Sequence, residues 1–324
     1  MRLFRITFAL AVLAVGIPGP VSAQQFPDKP VKVTIPYSAG SGPDAVLRHV
    51  GEKLNHTWNQ TLIVDNRPGG NGWIAIEAVR KSPADGYTLL EVDNSHVSLQ
   101  PHLYKKLPFD PVKDFDPVAP LYSTHFFIVV PASSPWNSVA DLVAAAKAKR
   151  GEVTYGTWGL GSVGHVGTAM LEAATGTQMT HVPFKDLAQL YAAVGNGEVA
   201  WAFGTAATAG PMHRAKKVKF LALAAPKRVA QYPEVPTVGE AGGPANFEVK
   251  TWVALYAPRG TPKPVIERIN SDIGKALSEP DMRERLAVFG FEPWIGGPAE
   301  ITKAQEVDLR RYAEVVKGAK ISLD

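Results

Sequence analysis

A two-lobe α/β protein, each lobe a mainly parallel sheet flanked by helices and joined to the other by two crossover strands, is the fold class this sequence predicts. Three observations predict it. Short β-branched or apolar runs alternate with helical patterns along most of the chain. Two proline-rich connectors, 101–125 and 226–248, interrupt that rhythm, and each leads into a strongly apolar strand. The chain has 324 residues and no cysteine, so it is held by core burial without disulfides and is long enough for two domains.

Taken in order, residues 1–23 read as a cleavable secretory leader. Arg2 and Arg5 are its basic start, Ile6 to Ile17 its apolar stretch, and VSA at 21–23 its small-residue cleavage signature. That stretch is too short for a membrane anchor, and no later run approaches the ~18 apolar residues of a spanning helix. Without Arg2 and Arg5 the chain carries 32 basic residues against 30 acidic, a balance that points away from nucleic acid. The dense basic run HRAKKVK at 213–219 reads as a solvated helix end.

Strands are predicted at 31–35, 61–65, 87–92, 126–130, 152–156, 178–182, 198–203, 218–225 and 249–258. Between them, residues 45–54 place Val46, Leu47, Val50 and Leu54 on one helical face. Residues 138–149 open on Ser138 as an N-cap with Asp141 at the capping-box position. Three helices follow near 262–277, 281–289 and 298–318. The βαβα order predicts parallel pairing with helices on both faces. The two connectors divide the chain into a discontinuous first lobe, 24–125 plus 250–324, and an inserted second lobe, 126–249.

Two loops carry the chemistry. IPYSAGSGPD (35–44) and GTWGLGSVG (156–164) each follow a strand and precede a helix. Unpaired amides and the helix dipole, roughly +0.5 charge, make such a turn an anion site; glycine lets the backbone approach the ligand, and Ser38, Ser41 and Ser162 add hydroxyls. One loop per lobe, facing across a cleft, would clasp a carboxylate or a dicarboxylate. DNRPGGNGW (65–73) is a third glycine-rich turn, in which Arg67 either offers a cation to the cleft or ties the turn to a neighbouring acid. GLGSVG (159–164) matches a dinucleotide fingerprint with Asp186 in place of a ribose ligand, but Trp158 crowds it and export disfavours a nicotinamide cofactor. No Cys, GxSxG or HExxH motif is present. Ser162 with His165 is the one imaginable nucleophile and base, and it defines the alternative of a secreted hydrolase.

The motifs PDKPVKVTIPYSAGSGPD, VDNRPGGNGWIAIEAV, SPADGYTLL, LYKKLPFDPVKDFDPVA, YGTWGLGSVGH, HVPFK and PRGTPKPVIERIN, in that order, resemble the Bug-type extracytoplasmic receptors of tripartite tricarboxylate transporters. The likeness runs from about Phe26 to the C-terminus. It implies a periplasmic binding protein of the Venus flytrap type, without enzymatic activity, cofactor or metal. Such a receptor, expected to be a monomer, captures a small carboxylate between its lobes and delivers it to the large and small membrane subunits of the transporter. Carried over, the ligand loops are Tyr37, Ser38, Ala39, Gly40, Ser41, Gly42 and Asp44, and Thr157, Trp158, Gly159, Gly161, Ser162 and His165, with Phe203 behind them.

The sequence departs from the family pattern in a consistent direction. Ser41 and Pro43 replace a glycine and a threonine, Trp158 stands at a small-residue position, and Trp73 stands where asparagine is frequent. Asp186 replaces a glycine, Ala200 and Gly204 replace aspartates, and Trp201 is added. Fewer acids and more indoles predict a flat, apolar ligand body between anionic ends. An aromatic dicarboxylate such as terephthalate is the sharpest form of that expectation, with an aliphatic acid such as citrate as its alternative. Trp158 is the expected ligand wall; Trp73 and Trp201 face either the cleft or the core.

Overall fold

The computed structural model describes residues 26–184 and 187–323; the leader and Asp186 lie outside the described residues. Two sheets form the frame. The first is six-stranded, in the order β11-β4-β10-β3-β1-β2, from β1 (Val31–Ile35), β2 (Leu62–Asn66), β3 (Thr88–Asp93), β4 (Phe115–His125), β10 (Lys250–Pro258) and β11 (Glu292–Pro293). The second is five-stranded, β7-β6-β8-β5-β9, from β5 (Phe127–Pro131), β6 (Thr154–Thr157), β7 (Thr180–Pro183), β8 (Trp201–Gly204) and β9 (Val218–Leu223). The helices are α1 (Gly42–Trp58), α2 (Trp73–Arg80), α3 (Gln100–Leu103), α4 (Val139–Ala148), α5 (Val163–Thr175), α6 (Leu187–Gly195), α7 (Ala206–Arg214), α8 (Lys263–Ser278), α9 (Pro280–Val288) and α10 (Pro298–Gly318).

Local chemistry explains most of these elements. Val31, Val33 and Ile35 of β1 are fully buried and pack against Val46, Leu47, Val50 and Leu54 of α1, the face expected from their spacing. Ser138 caps α4 by accepting a hydrogen bond from the Asp141 amide at 3.1 Å.

The sheets are mixed, where mainly parallel pairing was expected. β1 pairs in parallel with β2 and β3, and β6 with β7 and β8. The strands next to the crossovers run antiparallel: β10 with β3 and β4, and β5 with β8 and β9. The reason is that the chain leaves one sheet and returns to it through neighbouring strands of opposite direction. His125 pairs with Lys250 at the end of the first sheet, and Phe127 pairs with Leu223 in the second. Between them the Phe126 amide donates to Val249 O at 3.2 Å, and the Ala224 amide to Phe126 O at 2.8 Å. The link between the lobes is therefore two adjacent backbone segments.

β4 occupies part of what reads in sequence as the first connector. Pro117 and Pro120 hide it. They stand opposite Tyr256 and Ala254, and β10 shifts register beside each of those residues. At each shift β4 has one residue more than β10, Leu121 and Val118 being left over, and a bulged strand tolerates the proline that a regular ladder excludes.

Candidate functional site

A cavity of about 480 Å³ lies between the lobes. From the first lobe it is lined by the carboxyl end of β1 with the first turn of α1 (Tyr37, Ser41, Gly42, Pro43) and by the segment after β3 (Asp93, Ser95, His96, Gln100). Trp158, Leu160, Gly161, Ser162 and Val163 line it from the second lobe, with Thr205 and Thr208 at the start of α7. Tyr104, Tyr122, Phe126, Tyr191 and Phe291 complete an aromatic wall. Helices α1, α5 and α7 thus all present their N-terminal turns to one space, so unpaired amides and positive dipole ends converge there. Among the described lining residues there is no lysine or arginine. Such a site can hold an anion by amides and hydroxyls without an ion pair.

Each loop is shaped by its own side chains. Asp44 folds the first loop: its carboxylate accepts from the Gly40 amide at 2.8 Å, from Arg48 Nε at 3.0 Å and from Asn66 Nδ2 at 2.9 Å. Burial would raise this carboxyl, but those bonds hold it below its ordinary value. Ser41 is left with a buried hydroxyl that has no partner among the described residues. In the second loop Ser162 caps α5, its Oγ accepting from the His165 amide at 3.3 Å. His165 Nδ1 in turn accepts from the Gly161 amide at 3.0 Å, and its ring stacks on His181 at 4.4 Å. Burial and the neighbouring His181 push His165 down to about 4, which keeps it a neutral acceptor. Thr157 Oγ1 bonds Gly159 O at 3.0 Å and His181 Nε2 at 2.6 Å.

Of the residues expected from sequence, Tyr37, Ser41, Gly42, Trp158, Gly161 and Ser162 come together on the cavity wall. Asp44, Thr157 and His165 stand behind it, because their polar atoms are spent on bracing the two loops. Ser38, Ala39 and Gly40 are exposed outside the lining, and Gly159 is also off it. Phe203 is core, 1% exposed, and edge-on to Phe126 and Trp201. Trp201 is fully buried. Trp73 lies one layer back, its Nε1 donating to Gln100 Oε1 at 2.8 Å. Arg67 ties its turn to Asp65 at 2.9 Å. Because His165 Nδ1 is turned to the Gly161 amide, it makes no nucleophile–base bond to Ser162.

The segment after β3 was not foreseen. Its signal, a polar run (DNSH) at the carboxyl end of a central strand, marks the crevice where open α/β sheets bind ligands. The same holds for Thr205 and Thr208, which cap α7 reciprocally.

Gly161 joins the lobes at the cavity rim. Its φ is +69°, and a Cβ there would lie 2.6 Å from Leu103 Cδ1 and 3.0 Å from Leu323 Cδ1. Gly161→Ala adds left-handed strain of about 1–2 kcal/mol and wedges the second loop away from the first lobe. The expected result is roughly tenfold weaker ligand binding by calorimetric titration. Unchanged affinity would show that this contact does not matter to closure.

The chain matches the model of the Tripartite tricarboxylate transporter family receptor, TctC, over residues 46–321. The protein BugT of Bordetella pertussis is 30% identical over 324 residues, 98% of this chain and 99% of the relative. A Pseudomonas sp. protein from the tcbD-tcbE intergenic region is 31% identical over 291 residues, 90% of this chain and 86% of its own. Among solved structures, an R. palustris protein with adipate superposes with a TM-score of 0.82 at 31% identity, covering 92% of this chain and 100% of the other. MatC from Rhodopseudomonas palustris with bound malate gives 0.76 at 28% identity, over 90% and 100%. The periplasmic binding protein BugD gives 0.77 at 27% identity, over 91% and 99%.

Proposed function

The chain belongs to the tripartite tricarboxylate transporter receptor family, and from that premise we propose that it is an exported, periplasmic solute-binding protein that captures a small aromatic carboxylate between its lobes. The leader at 1–23 directs export. The lobes, 24–125 plus 250–324 and 126–249, close about the paired segments at Phe126 and Val249. The loaded form is delivered to the large and small membrane subunits of a tripartite transporter. The monomeric receptor performs no chemistry on its ligand. Among the described residues, no helix is long and apolar enough to cross a membrane.

One observation carries the ligand class. The cavity combines three helix N-termini with an aromatic wall in which Trp158 lies nearly parallel to Phe126, 5.8 Å apart and 14° between planes. The helix ends suit a carboxylate, and the flat walls suit an aromatic ring. Ligand closure then draws on a pre-existing open–closed equilibrium. An aliphatic dicarboxylate is the second reading, favoured by the adipate bound to the R. palustris neighbour.

A thermal-shift screen confirmed by calorimetry separates the two. Benzoate, 4-hydroxybenzoate and terephthalate are tested against adipate, malate and citrate. Stabilisation by at least one of the aromatic acids is expected, at about 2.7 kcal/mol for ligand at a hundred times Kd. Stabilisation by the aliphatic acids alone would select the second reading.

A further inference from the structure

The cavity contains one carboxylate where a receptor for anions has an apparent reason to exclude it. Asp93 ends β3 and lines the cavity, with its side chain 19% exposed. It is the only acidic residue among the described lining residues, and no lysine or arginine faces it there. Its Oδ1 accepts from the Ser95 amide at 2.9 Å, from the Ser95 hydroxyl and from His96 Nδ1 at 2.8 Å. None of these three bonds occupies Oδ2; the Tyr37 hydroxyl also hydrogen-bonds this carboxylate, whose two oxygens retain acceptor capacity for a further donor. The group is held in place from behind as well: the Asp93 amide donates to the Tyr37 hydroxyl at 3.0 Å, and Tyr37 stands edge-on to His96 at 6.0 Å. His96 is fixed in turn by Gly72, at which a Cβ would lie 2.4 Å from its ring. This is a rigid acceptor. A second ligand carboxylate placed against it has nothing to donate, whereas a hydroxyl or amino group gains a charge-assisted bond.

We propose that Asp93 selects among carboxylates for those that also carry a hydrogen-bond donor, so that the ligand is a hydroxy- or amino-substituted acid rather than a plain dicarboxylate. The inference rests on the receptor reading above and narrows its ligand. The carboxylate of such a ligand lies at the helix N-termini of the cavity, and its donor reaches Asp93 Oδ2. The terephthalate-like ligand expected from sequence is the competing case, because its second carboxylate meets Asp93.

Calorimetric titration of the leader-free chain tests this with matched pairs: 4-hydroxybenzoate with terephthalate, 4-aminobenzoate with benzoate, and malate with succinate. In any pair that binds, the donor-bearing acid is expected to bind about tenfold more tightly or better. In Asp93→Asn the preference over the dicarboxylate is expected to shrink to about threefold or less, since the repelling charge is gone. Terephthalate binding as tightly as 4-hydroxybenzoate, or an unaltered preference in Asp93→Asn, overturns the proposal. Should Asp93→Asn not fold, the wild-type ranking decides by itself. Binding without preference defeats the Asp93 inference alone, whereas no binding by any acid defeats the receptor reading and the inference with it.

Discussion

Replacing Trp158 with alanine is expected to weaken aromatic-carboxylate binding by about tenfold to a hundredfold, the worth of one large buried ring, roughly 1.5–3 kcal/mol. The position of the ring explains the size of the effect. Trp158 lies over the first turn of α5, where a Cβ at Gly164 would come within 2.9 Å of its Cζ3. Its other neighbour is Phe126, the residue at which the chain passes between sheets. The indole therefore links the ligand wall to the interlobe segment. Trp158→Phe keeps a flat face and is expected to retain most of the affinity. Titration with the best aromatic acid from the screen measures both variants. Equal affinity in wild type and Trp158→Ala would remove Trp158 from the ligand wall and weaken the case for an aromatic ligand.

Glu91→Gln is expected to make the protein more stable at pH 8, with the gain disappearing toward pH 5. Glu91 lies mid-strand in β3 and is fully buried, and neither carboxyl oxygen has a partner among the described residues. Burial first, then the nearby Asp44 and Asp93, push its carboxyl well above the ordinary range. The sign follows from linkage. An acid whose folded value is raised holds a proton in the fold that the unfolded chain releases above about pH 4.5. Stability is then fully present below that pH and falls as pH rises, by about 1.4 kcal/mol per pH unit until the folded value is reached. Glutamine has no proton to retain, so the wild-type penalty vanishes in the variant. His165 works in the opposite sense. Its lowered value, about 4, costs stability as pH falls from about 6.5. The difference between variant and wild type isolates Glu91. Urea unfolding at pH 5, 6.5 and 8 supplies it, and a variant advantage that does not grow with pH would refute the assignment.

Much of the frame was legible before any coordinates. The spacing of Val46, Leu47, Val50 and Leu54 is enough to find α1 and its buried face, and two strand–glycine–helix turns were enough to find the jaws of the cleft. What escaped did so for identifiable reasons. β4 reads as a connector because two prolines break its pattern, and the bulges beside them, at Val118 and Leu121 of β4, are defined only by its pairing with β10, which follows more than a hundred residues later. Trp201 alternates in a strand, so periodicity offers it two faces, and only the packing of Phe203 and Tyr155 against it makes its side the core. His165 could donate to an anion, yet its Nδ1 is taken by the Gly161 amide of its own loop, and Asp44, an acceptor, braces the first loop through Gly40, Arg48 and Asn66.

The sequence by itself determined most of the elements and the strand–glycine–helix form of the two loops, because strand propensity, glycine turns and helix N-termini are set by residues a few positions apart. Only the tertiary structure decided which side chains face the ligand. The third helix N-terminus at Thr205, the aromatic wall around Tyr122 and Phe291, and the Asp93–His96 pair reach one cavity through sheet order and interlobe packing. Each has at most a short polar run at a strand end as its local signal, and only contacts between residues far apart in the chain bring them to one space.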